Sequence, residues 1–257
     1  RPLTDKTLSF GLLNDVEQWT LLDPVYKAYT KDLCGYAERG EKEWKRLLGS
    51  FFAEGVNIAV VKNDEGQIEG YAVYRLGAPE IPVTEFVYTT RRAQRGLLNY
   101  FYNHRSQGES IRWNEGLHDM GYRFVPDGKI GHTTMPYMMA RIVDVETALT
   151  TVPVNPEAVM MPITLNIKVT DTLCDWNNGV FALTLGESTL PNVKRVSAES
   201  VDEIDITIDI GGLTVLLMGA VSAKDLVFEG KLQGESHWID YLDMVYPKQN
   251  TYINEWW

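Results

Sequence analysis

The sequence has little cysteine and no long apolar run. Cys34 and Cys174 lie far apart and form no Cys-x-x-Cys motif. We therefore expect reduced thiols and a cytoplasmic protein. No segment approaches the about 18 apolar residues that span a bilayer, and no signal segment follows Arg1. Because the first residue is arginine rather than methionine, we expect the chain to begin within a longer protein.

Positive charge is also scarce. The chain has 24 Lys and Arg residues against 35 Asp and Glu residues, and residues 137–257 alone carry a net charge of −10. Such a surface repels phosphate backbones and anionic lipids, so we expect neither nucleic-acid nor membrane partners. Its field would concentrate cationic small molecules, although a surface that only keeps the protein soluble explains the same charge.

The usual signals of a metal centre or a serine hydrolase are missing. The histidines share no metal-site spacing with one another or with carboxylates, and no Gly-x-Ser-x-Gly segment occurs. We therefore expect no metal site and interpret the histidines as surface or hydrogen-bonded residues.

Hydrophobic periodicity predicts two α+β domains, at 1–136 and 137–257. The predicted elements of the first are two helices within 15–55, the second of them at Glu41–Ala53, a hairpin at 57–75, a strand at 83–89 and a helix at 91–104. This order, helix–helix–hairpin–strand–helix, resembles that of an acetyltransferase (GNAT) fold. The second has predicted strands at 137–143, Ile163–Thr170, 180–185 and 204–210, and helices at 145–150, 213–218 and Ser236–Val245.

The segment after the third strand of the first domain departs from the coenzyme A pattern. A working acetyltransferase would have [Gln/Arg]-x-x-Gly-x-[Gly/Ala] there, with backbone N–H groups that hold the pyrophosphate. The available glycine is Gly96, but Ala93 precedes it by three residues and Leu98 follows it by two. We therefore expect no cofactor site in this domain. Arg91, Arg92 and Arg95 could meet phosphates, although a solvated helix end is the commoner role of such a cluster.

The C-terminal end of the chain is unusually aromatic. Tyr252, Trp256 and Trp257 fall within the last six residues. Burial of this segment would take the α-carboxylate of Trp257 out of water and raise its pKa above about 3.3–3.7, which would make it a better proton acceptor. The alternative is that Trp256 and Trp257 fill a groove or an oligomer contact.

Four segments, taken in order, resemble the Eis-type (enhanced intracellular survival) acetyltransferases. They are 44–48, 96–101, 137–149 and 252–257. The resemblance implies three parts: a first acetyltransferase domain that binds acetyl-CoA, a second one without the cofactor motif, and a C-terminal domain similar to sterol carrier proteins. By this resemblance the chain lacks the first domain, so acetyl-CoA would bind to the missing domain and not to this chain.

The same resemblance implies an activity and a site. The family's terminal carboxylate reaches the active site of the first domain; here that group belongs to Trp257, with Glu255 and Trp256 implied as residues that line an amine pocket. The substrates would be amines of polycationic small molecules, the protein would be a homo-oligomer, and this fragment alone would be inactive.

Two other interpretations stay open. The second domain could bind a lipid or another hydrophobic ligand in an apolar tunnel, or its apolar strands could form a solid core. Both domains could also have a purely architectural role, in which they position the terminus and build an oligomer.

Overall fold

The computed structural model describes residues 5–119, 121, 130–135, 138–186 and 188–255. The chain divides into two compact units, Arg1–Gly131 with Thr251–Trp257, and His132–Asn250. The C-terminal segment thus joins the first unit, whereas the sequence predicts all of 137–257 in the second domain. The reason is that Thr251 forms a bridge with Cys34, whose carbonyl accepts a hydrogen bond of 2.9 Å from the Tyr252 amide.

The first unit is built around a five-stranded sheet with the order β1-β2-β3-β4-β5. Its elements are β1 (Ser9–Leu13), α1 (Trp19–Thr30), α2 (Glu41–Ala53), β2 (Asn57–Lys62), β3 (Ile68–Tyr74), β4 (Glu80–Tyr88), α3 (Arg91–Asn103) and β5 (Ser110–Trp113). Neighbouring strands are antiparallel except β4 and β5, which are parallel. The predicted helices and hairpin are confirmed; β1 and β5 were not predicted.

Helices cover both faces of this sheet. Successive side chains of a strand point to opposite faces, so Val60 packs with the α1 and α2 side chains, while Ala59 packs with those of α3. The central strands are therefore buried on both sides, which explains their nearly continuous apolar sequence.

Gly70 of β3 marks a close approach between strands. A Cβ there would lie 2.8 Å from the Val87 carbonyl oxygen of β4, which cannot move away within the sheet. We expect Gly70→Ala to destabilise the protein by about 1–3 kcal/mol in urea unfolding, as overpacking does. The matched control is Gly49→Ala in α2, where a Cβ meets nothing within 4 Å; we expect it to stabilise the protein by about 0.5–1 kcal/mol. Equal effects of the two substitutions would contradict this account.

The second unit has a five-stranded sheet with the order β10-β9-β6-β7-β8. Its elements are α4 (Val145–Thr151), β6 (Ile163–Thr170), β7 (Gly179–Leu185), β8 (Asn192–Val196), β9 (Ile206–Asp209), α5 (Ile210–Leu217), α6 (Ala223–Phe228), β10 (Leu232–Gly234) and α7 (Ser236–Val245). Strand β6 alternates as predicted, with Leu165, Ile167 and Val169 in the core. The predicted α+β fold class is confirmed in both units.

Two predictions for the second unit need correction. The strand predicted at 137–143 is wrong over its described part, 138–143. Backbone groups in this segment bond to side chains instead of to a neighbouring strand. The Thr214 hydroxyl accepts a hydrogen bond from the Ile142 amide at 3.2 Å, and the indole of Trp176 donates to the Val143 carbonyl at 2.8 Å.

The strand predicted at 204–210 is shorter than its alternating pattern. Strand β9 ends at Asp209 because the Asp209 carboxylate accepts a hydrogen bond of 2.6 Å from the Gly212 amide. That contact is an N-cap, and it begins α5 at Ile210. Among the described residues, no helix is both long and apolar enough to cross a membrane.

Candidate functional site

The C-terminal segment is held on the first unit by backbone and side-chain contacts. Tyr252 is buried, and its ring lies edge-on to that of Tyr29 at a centroid distance of 5.4 Å. The side-chain amide of Asn254 donates a hydrogen bond of 2.5 Å to the Thr84 carbonyl of β4. The segment is therefore held by its backbone at Cys34 and by the side chains of Tyr252 and Asn254 on α1 and β4.

Glu255, the last described residue, ends in a buried cluster of charges. The Arg39 guanidinium donates through Nε to Glu255 Oε1 at 2.6 Å, and through its two terminal nitrogens to Glu85 at 2.6 and 3.2 Å. The Tyr71 hydroxyl donates to Glu85 Oε2 at 2.8 Å. We call these four residues, Arg39, Glu85, Glu255 and Tyr71, the Arg39 cluster. The side chains of Arg39 and Glu85 are each only 3% exposed.

Aromatic rings enclose the guanidinium. The Arg39 Cζ lies 4.2 Å from the ring centroid of Tyr26 and 4.7 Å from that of Trp44. Both rings are fixed by hydrogen bonds, from the Tyr26 hydroxyl to the Ala37 carbonyl at 2.9 Å and from the Trp44 indole to Asp23 at 3.0 Å. Cation–π contacts of this kind are strongest when water is excluded.

The protonation states in the cluster are firmly set. Burial opposes the charged form of Arg39, but the Glu85 carboxylate outweighs it together with neighbouring groups, so the pKa of Arg39 is raised. Burial raises the pKa of Tyr71 well above its ordinary value, and the adjacent Glu85 charge adds to this. Arg39 therefore stays charged and Tyr71 neutral at physiological pH, which suits a cluster that fixes positions rather than one that moves protons.

The predicted site residues have different outcomes. Glu255 lies buried against Arg39, and its role in an amine pocket stays a prediction. Trp256 and Trp257 lie outside the described residues. Within the described part of the chain, no group of three or more His, Cys, Asp or Glu residues is arranged to hold a metal.

Sequence reasoning missed Arg39, Glu85 and Tyr71. Arg39 is 216 residues from Glu255 and 46 from Glu85, so no local spacing connects them. One signal was available: in β4 the odd-numbered positions from Ile81 to Val87 are buried, and Glu85 is the charged member of that series. A buried glutamate requires a partner such as arginine.

A carboxylate of the chain itself lies beside the N-terminus of α3. The Glu69 side chain accepts hydrogen bonds from the Thr90 hydroxyl at 2.8 Å and from Arg92 at 2.8 and 2.5 Å. Thr90 also caps the helix by accepting from the Ala93 amide at 3.1 Å. A negative group of the chain itself thus lies beside the positive end of the helix dipole.

Gly96 in the same helix serves packing. A Cβ at this position would lie 2.8 Å from the Leu8 side chain and would also contact Val61 and Phe10. The missing side chain therefore makes room for apolar neighbours.

The Glu69 contacts predict a pH-dependent contribution to stability. Hydrogen bonds from Arg92, which outweigh the effect of burial, and from Thr90 lower the pKa of Glu69 from 4.5 to about 2. Because the folded pKa lies below the unfolded one, this contribution is full above about pH 5 and is lost as the pH falls toward 2. In urea unfolding, we expect Glu69→Gln to be less stable than wild type at pH 7 and the difference to shrink between about pH 4.5 and 2. The control is Glu65→Gln in the exposed hairpin turn; a constant difference for Glu69→Gln would contradict the prediction.

Comparisons with known protein families agree with the two-part fold. Residues 35–142 match the acetyltransferase (GNAT) domain, and residues 145–254 match the sterol carrier protein domain. The chain thus carries a GNAT-like domain followed by a sterol-carrier-like domain. The second match includes Thr251–Asn254, although these residues pack on the first unit. No curated protein matches the chain.

Solved structures show the same fold at low sequence identity. A conserved protein from Enterococcus faecalis V583, described as a probable N-acyltransferase, is 23% identical with a TM-score of 0.84, over 97% of this chain and 62% of that one. A GCN5-related N-acetyltransferase from Anabaena variabilis is 18% identical with a TM-score of 0.80, over 98% and 63%. Eis1 from Mycobacterium abscessus is 19% identical with a TM-score of 0.66, over 100% and 64%. This chain therefore spans less than two thirds of the length of these proteins.

The apolar residues considered for a lipid tunnel lie together in the second unit. Leu165, Ile167, Leu183, Ile206 and Leu213 all belong to one buried cluster. Their mutual packing favours the solid-core interpretation, because protein interiors are normally close-packed.

Proposed function

We propose that this chain is the C-terminal portion of a GNAT N-acetyltransferase that transfers an acetyl group from acetyl-CoA to amines of polycationic small molecules. The observation that carries the proposal is the burial of Tyr252, Asn254 and Glu255 on the GNAT-like unit, which fixes the chain two residues before Trp257. The greater length of the similar structures supports a further domain that binds acetyl-CoA.

The proposed role of this chain is to supply a base. A substrate amine arrives as an ammonium ion and must lose a proton before its lone pair can attack the thioester carbon. The α-carboxylate of Trp257 takes that proton, and the free amine attacks to form the C–N bond. As the C–S bond breaks, the nitrogen releases its second proton to water, and coenzyme A leaves as the thiol after protonation by an acid of the further domain. Glu255 and Trp256 line the amine pocket. The excess of acidic residues favours polycationic substrates over neutral ones.

We also propose that acetyl-CoA binding and base catalysis belong to different domains. The Glu69 carboxylate beside α3 opposes pyrophosphate binding, so acetyl-CoA binds to the further domain and this chain alone is inactive. We also propose a homo-oligomer, which analytical ultracentrifugation of the full-length protein tests directly.

The test is acetyl transfer by the full-length protein. Mass spectrometry should detect acetylated product from acetyl-CoA and a panel of amines, with spermidine and other polyamines acetylated faster than monoamines of similar size. Acetyl transfer to none of them would overturn the proposed activity. Separately, calorimetric titration of this chain with acetyl-CoA should show no micromolar binding. Such binding would overturn the proposal that acetyl-CoA binds only to the further domain.

A further inference from the structure

We propose that Arg39 is a positioning residue for the terminal base: it holds Glu255 beside Glu85 of β4 and thereby fixes the backbone two residues before Trp257. The inference rests on the proposed function, because positioning matters only if the terminal carboxylate acts in catalysis. Arg39 itself is buried beneath Tyr26 and Trp44 and needs no contact with substrate.

The geometry gives the guanidinium a defined direction. Glu85 belongs to a central strand and binds two nitrogens of Arg39, at 2.6 and 3.2 Å. The guanidinium is planar and its donors form a rigid fork, so two bonds to Glu85 fix its plane. Its Nε and one terminal nitrogen then lie 2.6 Å from Glu255 Oε1. The sheet therefore sets the position of Arg39, and Arg39 sets the position of Glu255.

The contact between Arg39 and Glu255 lies two residues before the proposed base, the carboxylate of Trp257. Tyr252 and Asn254 already hold the segment through the Cys34 and Thr84 carbonyls. Glu255 adds a last fixed point, from which two residues can extend by at most about 7 Å. A displacement of about 1 Å between reacting groups can lower a rate about 100-fold, so losing this point should affect catalysis more than folding.

The test uses two conservative variants of the full-length protein. Glu255→Gln retains the side-chain shape and leaves both bonds between Arg39 and Glu85 in place. Arg39→Lys retains the charge but loses the fork and cannot contact substrate. We expect each variant to lower kcat about 10- to 100-fold with an unchanged KM for acetyl-CoA. The double variant should be no slower than the slower single variant, because both substitutions break the same contact between Arg39 and Glu255.

The matched control is Glu54→Gln, which alters an exposed ion pair with Arg75 and should leave kcat unchanged. A kcat of wild-type size in both Glu255→Gln and Arg39→Lys, or multiplicative losses in the double variant, would overturn the positioning role.

Hydrogen exchange separates this inference from the proposed function. In this chain, with no activity required, Glu255→Gln should speed amide exchange at residues 253–255 and leave β4 protected. Absence of acetyl transfer in the wild type, together with faster exchange at 253–255 in Glu255→Gln, would overturn the proposed function and leave only the anchoring of the terminal segment by Arg39. Unchanged exchange at 253–255 would overturn the positioning role, even in an active enzyme.

Discussion

Replacing Arg39 by methionine is expected to lower the free energy of unfolding by about 3–5 kcal/mol, since removing one partner of a buried ion pair leaves an uncompensated charge. Here two carboxylates, of Glu85 and Glu255, would lose the same partner while remaining buried. Methionine retains the apolar contact with Tyr26 and Trp44, so the loss reports mainly on charge. Urea unfolding at neutral pH, followed by fluorescence, measures it.

The control for this substitution is Arg75→Met. Arg75 pairs with Glu54 at a similar distance, 2.7 Å, but the two side chains are 50% and 58% exposed. Exposed pairs contribute about 0–1 kcal/mol, so Arg75→Met should change stability little. An Arg39→Met protein as stable as Arg75→Met would show that the Arg39 cluster does not hold the C-terminal segment in place.

Removing Trp256 and Trp257 from the full-length protein is expected to lower kcat by about 100- to 10,000-fold, the range that a positioned general base contributes. The truncated chain would end at Glu255, so its terminal carboxylate would lie two residues short of the proposed position. Initial rates of acetyl transfer at saturating amine measure the effect. The comparison variant is Trp257→Ala, which removes the ring and retains a carboxylate at the same position; it should lose much less activity.

Two outcomes of the truncation experiment would contradict the role of the Trp257 carboxylate as the base. If the truncated protein and Trp257→Ala lose activity equally, the indole ring rather than the carboxylate matters, and Trp256 and Trp257 only fill a groove. If neither loses activity, the end of the chain has no part in catalysis.

Periodicity predicted the long elements of the fold because burial follows it closely there. In α2 the apolar stripe around Trp44 and Leu48 and the turn at Gly40 gave the bounds Glu41–Ala53, as the structure has them. Strands β5 and β10, with four and three residues, are too short to show an alternation. Such strands exist because a neighbour offers its edge, which a single sequence does not reveal.

The candidate site could be predicted only in part. The aromatic residues of the terminal segment indicated burial, and Tyr252 is buried as that composition suggested. Cys34, which bonds to Tyr252, and Arg39, which pairs with Glu255, lie in the loop between α1 and α2. This loop is more than 200 residues earlier in the chain. Contacts over such separations depend on the whole topology of the sheet, and no spacing rule relates them.

The surroundings of the α3 N-terminus could not be predicted from the sequence. The residue types at Ala93 and Leu98 depart from the coenzyme A motif, but they do not indicate which groups lie beside the helix. In the structure the Glu69 side chain of β3 lies there, bound to Arg92 and Thr90. Arg92, which the sequence suggested for phosphate contact or a solvated helix end, is thus paired with a carboxylate from the neighbouring strand.

Extending the chain by two glycines beyond Trp257 tests the central claim most directly, because the extension removes no residue and only moves the terminal carboxylate. In the full-length protein, the account predicts that kcat for acetyl transfer to spermidine falls by about 100-fold or more, while unfolding by urea is unchanged. An extended protein with the kcat of the wild type would contradict the account, because a displaced carboxylate could not then be the base.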